Sequence, residues 1–307
     1  MPESDDLDFT ARSAPSQPAA ARAPSAPFKA ASSPFYKPDV AERLFRAAGK
    51  AERFEAGRQI FAEDQKASGG GLFSPGSAPR MYFIAEGTVA LSIGGRVLDT
   101  VSKGEVFGEM AIISERPRTA TATAKSACAV HSLSGEELRG ALVKMPEFAL
   151  MLMSVMFDRI RFVAARLATR KAAIAARRQN APAFDAALLA RLEGALARPV
   201  LARYPAGATI MRVGQAGMVM YIVKSGRVAI SMGGNVVEFV GAGDTFGEMA
   251  LVDQSPRVAN AVAEEECELL AIDRAALMKA VEQQPAFAMA MLRAIADRLR
   301  HMNAHLG

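Results

Sequence analysis

Apolar and polar positions along the chain change period twice, and in the same order each time. A short amphipathic stretch over residues 38–50 places Val40, Leu44 and Phe45 on one face, which predicts a helix. Short β-rich runs follow. Arg53 to Phe61 opens a strand series, and residues 82–93 read as two runs broken at Gly87, a tight reversal. Gly94-Gly95 then reads as a hairpin turn before Arg96, Val97, Leu98 and Asp99, and residues 120–133 form another strand region. The period then lengthens. Met153, Met156, Ile160, Val163 and Leu167 alternate spacings of three and four, and Leu292, Ile295, Leu299, Met302 and Leu306 repeat that stripe. Many short strands closed by helix predict a mainly β, α+β architecture of the β-roll or jelly-roll kind, built twice.

The duplication follows from residue numbers alone. Tyr82 and Tyr221, Gly87 and Gly226, Phe107 and Phe246, Arg118 and Arg257, and Cys128 and Cys267 all lie 139 residues apart. Upstream, Gly57 and Gly207 lie 150 apart, so the first copy carries 11 more residues between about 65 and 81. The insert over residues 66–80 has three consecutive glycines and reads as a surface loop, with a lid or partner contact as the alternative. The expected division is a tail over 1–37, a first domain over 38–165, a basic helical linker over 166–183 and a second domain over 184–307.

One stretch in each copy carries the chemistry. The first reads Phe107-Gly108-Glu109-Met110-Ala111 and reaches Arg118-Thr119; the second reads Phe246-Gly247-Glu248-Met249-Ala250 and reaches Arg257-Val258. The Gly permits close backbone approach, and a helix start after it offers unpaired N–H groups to an anion. The Arg offers a planar fork for phosphate oxygens, and the Glu accepts hydrogen bonds from a sugar hydroxyl. Together they describe a pocket for a ribose that carries a phosphate.

Phe-Gly-Glu-Met-Ala followed at fixed spacing by Pro-Arg resembles the phosphate-binding cassette of cyclic-nucleotide-binding domains, the family of cAMP-dependent protein kinase regulatory subunits and the catabolite activator protein. The resemblance covers about residues 38–307. It implies tandem domains of that family, with cyclic AMP and/or cyclic GMP as ligand. It also implies that Glu109 and Glu248 hold the ribose 2′-OH. Arg118 and Arg257 would hold the cyclic phosphate, with Gly108, Met110 and Ala111, and Gly247, Met249 and Ala250, completing the cradle. Family precedent associates Thr or Ser after the Arg with cGMP and Ala with cAMP. Thr119 is thus compatible with cGMP, and Val258 fits neither pattern.

Composition narrows the reading. Half of the residues are hydrophobic, enough for two cores, and the net charge is +5. Cys128 and Cys267 are too few for a disulfide scaffold and read as buried thiols, and no metal-ligand cluster forms with the three histidines. No apolar run is long enough to span a bilayer and no secretory signal opens the chain, so a cytoplasmic location is expected. Neither a nucleophile elbow nor a Walker-type loop is present, so the reading is a receptor or regulatory module, not an enzyme. Residues 1–37 hold six prolines among Ala and Ser and read as a disordered tail; no identifiable pseudosubstrate run occurs there. In the transcriptional branch of the family a helix-turn-helix domain follows the last helix. The chain stops at Gly307, so recognition of specific DNA is not expected. Two other classes stay open. One is an assembly protein that keeps the fold without sensing. The other is a DNA-associated regulator using the helix that carries Arg159, Arg161, Arg166, Arg170, Lys171, Arg177 and Arg178. The apolar helix stripes leave two partners open: each helix's own barrel, or a seam between two domains or two chains. An unidentified protein partner is the expected reader of the output.

Overall fold

A computed structural model describes residues 36–65, 79–170, 182–196 and 200–305. The first repeat runs α1 (Pro38–Ala48), β1 (Lys50–Phe54), β2 (Gln59–Phe61), β3 (Arg80–Glu86), β4 (Thr88–Ile93), β5 (Arg96–Ser102), β6 (Val106–Phe107), α2 (Glu109–Ser114), β7 (Thr121–Ala124), β8 (Cys128–Ser134), α3 (Gly135–Lys144) and α4 (Glu147–Arg170). The second runs α5 (Ala186–Ala195), β9 (Val200–Tyr204), β10 (Thr209–Met211), β11 (Val219–Ser225), β12 (Val228–Met232), β13 (Asn235–Val240), β14 (Thr245–Phe246), α6 (Glu248–Asp253), β15 (Asn260–Ala263), β16 (Cys267–Asp273), α7 (Arg274–Gln283) and α8 (Pro285–Ala304). The expected tail up to residue 35 and the insert over 66–78 lie outside the described residues.

Each repeat folds as two four-stranded antiparallel sheets, β1-β8-β3-β6 facing β2-β7-β4-β5 and β9-β16-β11-β14 facing β10-β15-β12-β13. The order is the same in both, so the mainly β, β-roll class expected from the strand pattern is what forms. Alternation decides which face is inside. In β7, Ala122 and Ala124 are buried while Thr121 and Thr123 between them are not, and Ala261 and Ala263 repeat this in β15. Tyr82 pairs with Phe107 across β3 and β6, and Tyr221 pairs with Phe246 across β11 and β14, which sets each cassette at the end of a sheet. Gly87 makes the predicted reversal between β3 and β4 with φ 91°, and a Cβ there would fall 2.4 Å from the Ala127 carbonyl oxygen.

Local signals start the helices. Ser134 and Glu137 form a capping box on α3, Asp273 caps α7 through the Ala276 N–H at 2.8 Å, and Asp185 caps α5 through the Leu188 N–H at 2.7 Å. Tyr36, just before α1, is buried and donates its hydroxyl to the Gly104 carbonyl at 2.9 Å.

The two long helices settle where the apolar stripes go. Met153, Met156, Ile160, Val163 and Leu167 on α4 and Leu292, Ile295, Leu299 and Met302 on α8 are all buried, and α4 and α8 pack against each other. The seam is therefore between the two repeats of one chain; Leu306 lies outside the described residues. The helices also cross over: α8 packs on the cassette helix α2 of the first repeat, and α4 packs on α6 of the second. One continuous core cluster accordingly runs from α1 through both long helices into the second barrel, while the first barrel keeps its own cluster around Tyr82 and Phe107. Among the described residues no helix is long and apolar enough to cross a membrane.

Candidate ligand sites

Gly108 and Gly247 have φ of 77° and 80°, left-handed values that L side chains rarely adopt. A Cβ on either would also crowd the cassette arginine, at 3.0 Å from Arg118 Nη1 and 2.7 Å from Arg257 Nη1. The glycines turn the chain from β6 and β14 into the short helices α2 and α6, and put Glu109 and Glu248 at their first positions.

Ten residues on, Arg118 Nη1 donates to the Gly108 carbonyl and Nη2 to the Arg80 carbonyl, both at 2.8 Å. The guanidinium also lies 4.0 Å from the centroid of the Phe61 ring. Arg257 repeats the pattern, donating Nη1 to the Gly247 carbonyl at 2.6 Å and Nη2 to the Val219 carbonyl. Both arginines are 6% exposed, yet neither makes an ion pair among the described residues. Burial pulls both guanidinium pKa values down, against the opposing influence of Tyr82 and Glu109 at the first and Tyr221 and Glu248 at the second. A buried cation without an anion is costly unless something negative joins it.

The glutamates are held by arginines that sequence reasoning missed in this role. Arg159 on α4 pairs through Nη1 with Glu109 Oε1, and Arg298 on α8 pairs with Glu248 Oε1. Arg298 also pairs with Glu238 at 2.8 Å and donates to the Thr245 carbonyl. Burial pushes Arg298 down, but Glu238 and Glu248 outweigh it and its pKa is raised. The other oxygen, Oε2, of both Glu109 and Glu248 is buried and has no hydrogen-bond partner among the described residues. Each site therefore presents one anchored and one open carboxylate oxygen. The equal 139-residue spacing of Arg159 and Arg298, and of Asp99 and Glu238, is the signal that would have found these residues.

Both cassettes adjoin cavities. Gly247, Glu248, Met249, Ala250, Arg257 and Val258 all line the one at the second cassette, together with Arg298 and Met302. At the first, Met110 and Thr119 line the cavity with Asp99 and Arg159, while Gly108, Glu109, Ala111 and Arg118 do not reach its wall. The first cavity is the roomier, at about 140 against 60 Å³. Each wall also includes the opposite repeat. Ile160 and Ala164 of α4 line the second cavity, and Leu299 and Asn303 of α8 line the first.

Polar contacts cross the same way. Arg161 on α4 pairs with Asp253 at the end of α6 and donates to Ser255 Oγ at 3.4 Å. Arg300 on α8, 139 residues later, donates to Ser114 Oγ and to the Pro117 carbonyl, both at 3.0 Å. The turn after each cassette helix is thus tied to the last helix of the other repeat. Within the basic run expected on α4, Arg159 and Arg161 are therefore committed to carboxylates, and Arg166 lies 5.4 Å from the centroid of the Phe162 ring. Lys171, Arg177 and Arg178 lie outside the described residues.

The family described as Cyclic nucleotide-binding domain matches residues 51–144 and 201–284, more than half of the chain. A cGMP-dependent protein kinase of Toxoplasma gondii is 30% identical over 192 residues, 61% of this chain and 17% of the relative. A Cyclic AMP receptor protein of Thermus thermophilus is 36% identical over 108 residues, 34% of this chain and 50% of the relative. The chain thus spans at most half the length of these two. Among solved structures, the regulatory domain of Toxoplasma gondii PKA, co-crystallised with cAMP, matches 80% of this chain and 93% of its own, at 24% identity and a TM-score of 0.28.

Proposed function

The chain belongs to the cyclic nucleotide-binding domain family, and we propose that each repeat binds one cyclic mononucleotide, cAMP or cGMP, as part of a regulatory module. The observation that carries the proposal is the buried, unpaired guanidinium in each cassette. Arg118 and Arg257 each engage two N–H donors on backbone carbonyls, which leaves three of the five for an anion. A cyclic phosphate supplies the missing negative charge. The open Oε2 of Glu109 or Glu248 then accepts the ribose hydroxyl, while Arg159 or Arg298 keeps the side chain oriented. The names of the two similar proteins support cyclic nucleotides as the ligand class.

The crossed helices support a mechanism for coupling. α4 and α8 each border both cavities, so a ligand that prefers one packing of this pair at its own site biases the other site as well. The repacked outer surface is what a protein partner reads. The role is regulatory, with no bond of the ligand broken. Calorimetric titration with cAMP and with cGMP tests the reading. It requires two equivalents of cyclic nucleotide per chain, and an absence of binding by both nucleotides refutes it.

A further inference from the structure

We infer that Gly217 is a positioning residue of the second site: it sets the distance between Arg257, which takes the phosphate, and the helix that carries Glu248. The inference rests on the nucleotide reading above and deepens it. The loop from Gly214 to Val219 grips Arg257 three times. The Gly214 N–H donates to the Arg257 carbonyl and the Arg257 N–H donates to the Gln215 carbonyl, both at 2.8 Å. Arg257 Nη2 donates to the Val219 carbonyl. Ala216 and Pro256 add a β-bridge beside these bonds. The first repeat makes the same two backbone grips on Arg118, from Asp64 and Gln65. Arg257 is therefore part of the loop's frame and moves with it.

Where this loop rests on the cassette helix it has no side chain. A Cβ on Gly217 would fall 2.3 Å from the Ala250 Cβ, and the next nearest atoms, also of Ala250, lie at 3.3 and 3.4 Å. The φ of Gly217 is not left-handed, in contrast to Gly214 at 82°. The backbone at 217 is thus open to L residues, and it is the closeness of Ala250 that demands glycine. Ala250 lies two residues after Glu248 on α6. On one side it lines the ligand cavity, and on the other it lines an outer cleft together with Gly217 and Met218. The helix is a partition between loop and ligand. A methyl group at 217 has to part the two by about 1 Å to restore ordinary van der Waals contact. Arg257 then stays with the loop while Glu248 goes with the helix. A nucleotide that bridges them through phosphate and ribose cannot follow, because its hydrogen bonds tolerate only a few tenths of an ångström. The missing side chain of Gly217 keeps the two anchors at the separation one ligand can span.

The test uses the full chain with Arg118→Ala, which isolates the second site, and titrates it with cAMP and with cGMP. Gly217→Ala should weaken binding by about ten- to a hundredfold, the loss of a hydrogen bond to a charged group. Ala250→Gly removes the atom that the new methyl group meets. Adding it to Gly217→Ala should therefore return the affinity to that of Ala250→Gly alone, a rescue that a general loss of stability does not produce. If Gly217→Ala does not fold, the double variant should fold and bind. Weakening that Ala250→Gly leaves unrescued would overturn the inference, and so would a double variant that stays unfolded. Affinity unchanged by Gly217→Ala would overturn it while leaving the nucleotide reading intact. Failure of both nucleotides to bind the folded Arg118→Ala chain would overturn the inference together with that reading at the second site.

Discussion

The two sites share a cassette and differ in how its glutamate is held. In the second, Arg298 is enclosed, its side chain 5% exposed, and is shared between Glu238 and Glu248. In the first, Arg159 is 15% exposed and pairs with Glu109 alone, while Asp99 stands where the second repeat has Glu238. The shorter side chain does not close the ion pair, and Asp99 instead lines the roomier cavity. One methylene thus separates an arginine shared by two carboxylates from an arginine that pairs with one. The difference teaches that the same cassette can be mounted on unequal ion-pair frames.

The largest test of that contrast is stability. Arg298→Ala removes the guanidinium that Glu238 and Glu248 share and should cost about 3–5 kcal/mol, the range for breaking a buried ion pair. Arg159→Ala strands one buried carboxylate instead of two and should cost clearly less. Denaturant unfolding of both variants measures the order, and equal costs would remove the claimed difference in frame.

Next in size is the crossed tie between repeats. Arg161→Ala should weaken nucleotide binding at the second site, and Arg300→Ala at the first, each by about two- to tenfold as one or two hydrogen bonds to the cassette turn are lost. Single-site titrations separate the two. An effect confined to the repeat that carries the mutated arginine would contradict the crossing.

A comparable or smaller effect is expected at the residue after each cassette arginine. Thr119→Val makes the first site resemble the second, with its Val258, and should lower the ratio of cGMP to cAMP affinity there by about two- to tenfold at most. Competition binding with the two nucleotides measures that ratio.

The smallest effect concerns protons. Burial raises the pKa of Asp99 in the folded chain, against the lowering influence of Arg159. A carboxyl with a raised native pKa binds more protons folded than unfolded. It therefore favours folding at low pH, and that contribution is lost as pH rises through the interval between its unfolded and native values. Asp99→Asn should remove that falling contribution, so stability of the variant falls less, or rises more, with pH across that interval than stability of the wild type. A variant whose stability falls more with pH there would reverse the sign and exclude desolvation as the cause.

Much of this was legible in the sequence because the repeat preserves both residue type and spacing. Gly108, Glu109 and Arg118 reappear at a constant offset, and strand alternation is a local property, so cassette and barrel could be read together. The helix stripe announced burial but not what it is buried against, because a spacing of three and four is the same for a helix on its own barrel and for a seam. That α8 closes the first site and α4 the second depends on how the repeats dock, which no local pattern records. Arg159 was hidden for a related reason. It lies 50 residues from the carboxylate it holds and looked like one more member of a basic helix face.

Calorimetry on single-arginine variants addresses the central claim most directly. The wild-type chain should bind two equivalents of a cyclic nucleotide. Arg118→Ala should remove or weaken one by about ten- to a hundredfold, the loss of a charge-assisted phosphate contact, and Arg257→Ala should do the same to the other. Titration curves unchanged in both variants would contradict the account, since the buried guanidinium groups would then have no part in holding the phosphate.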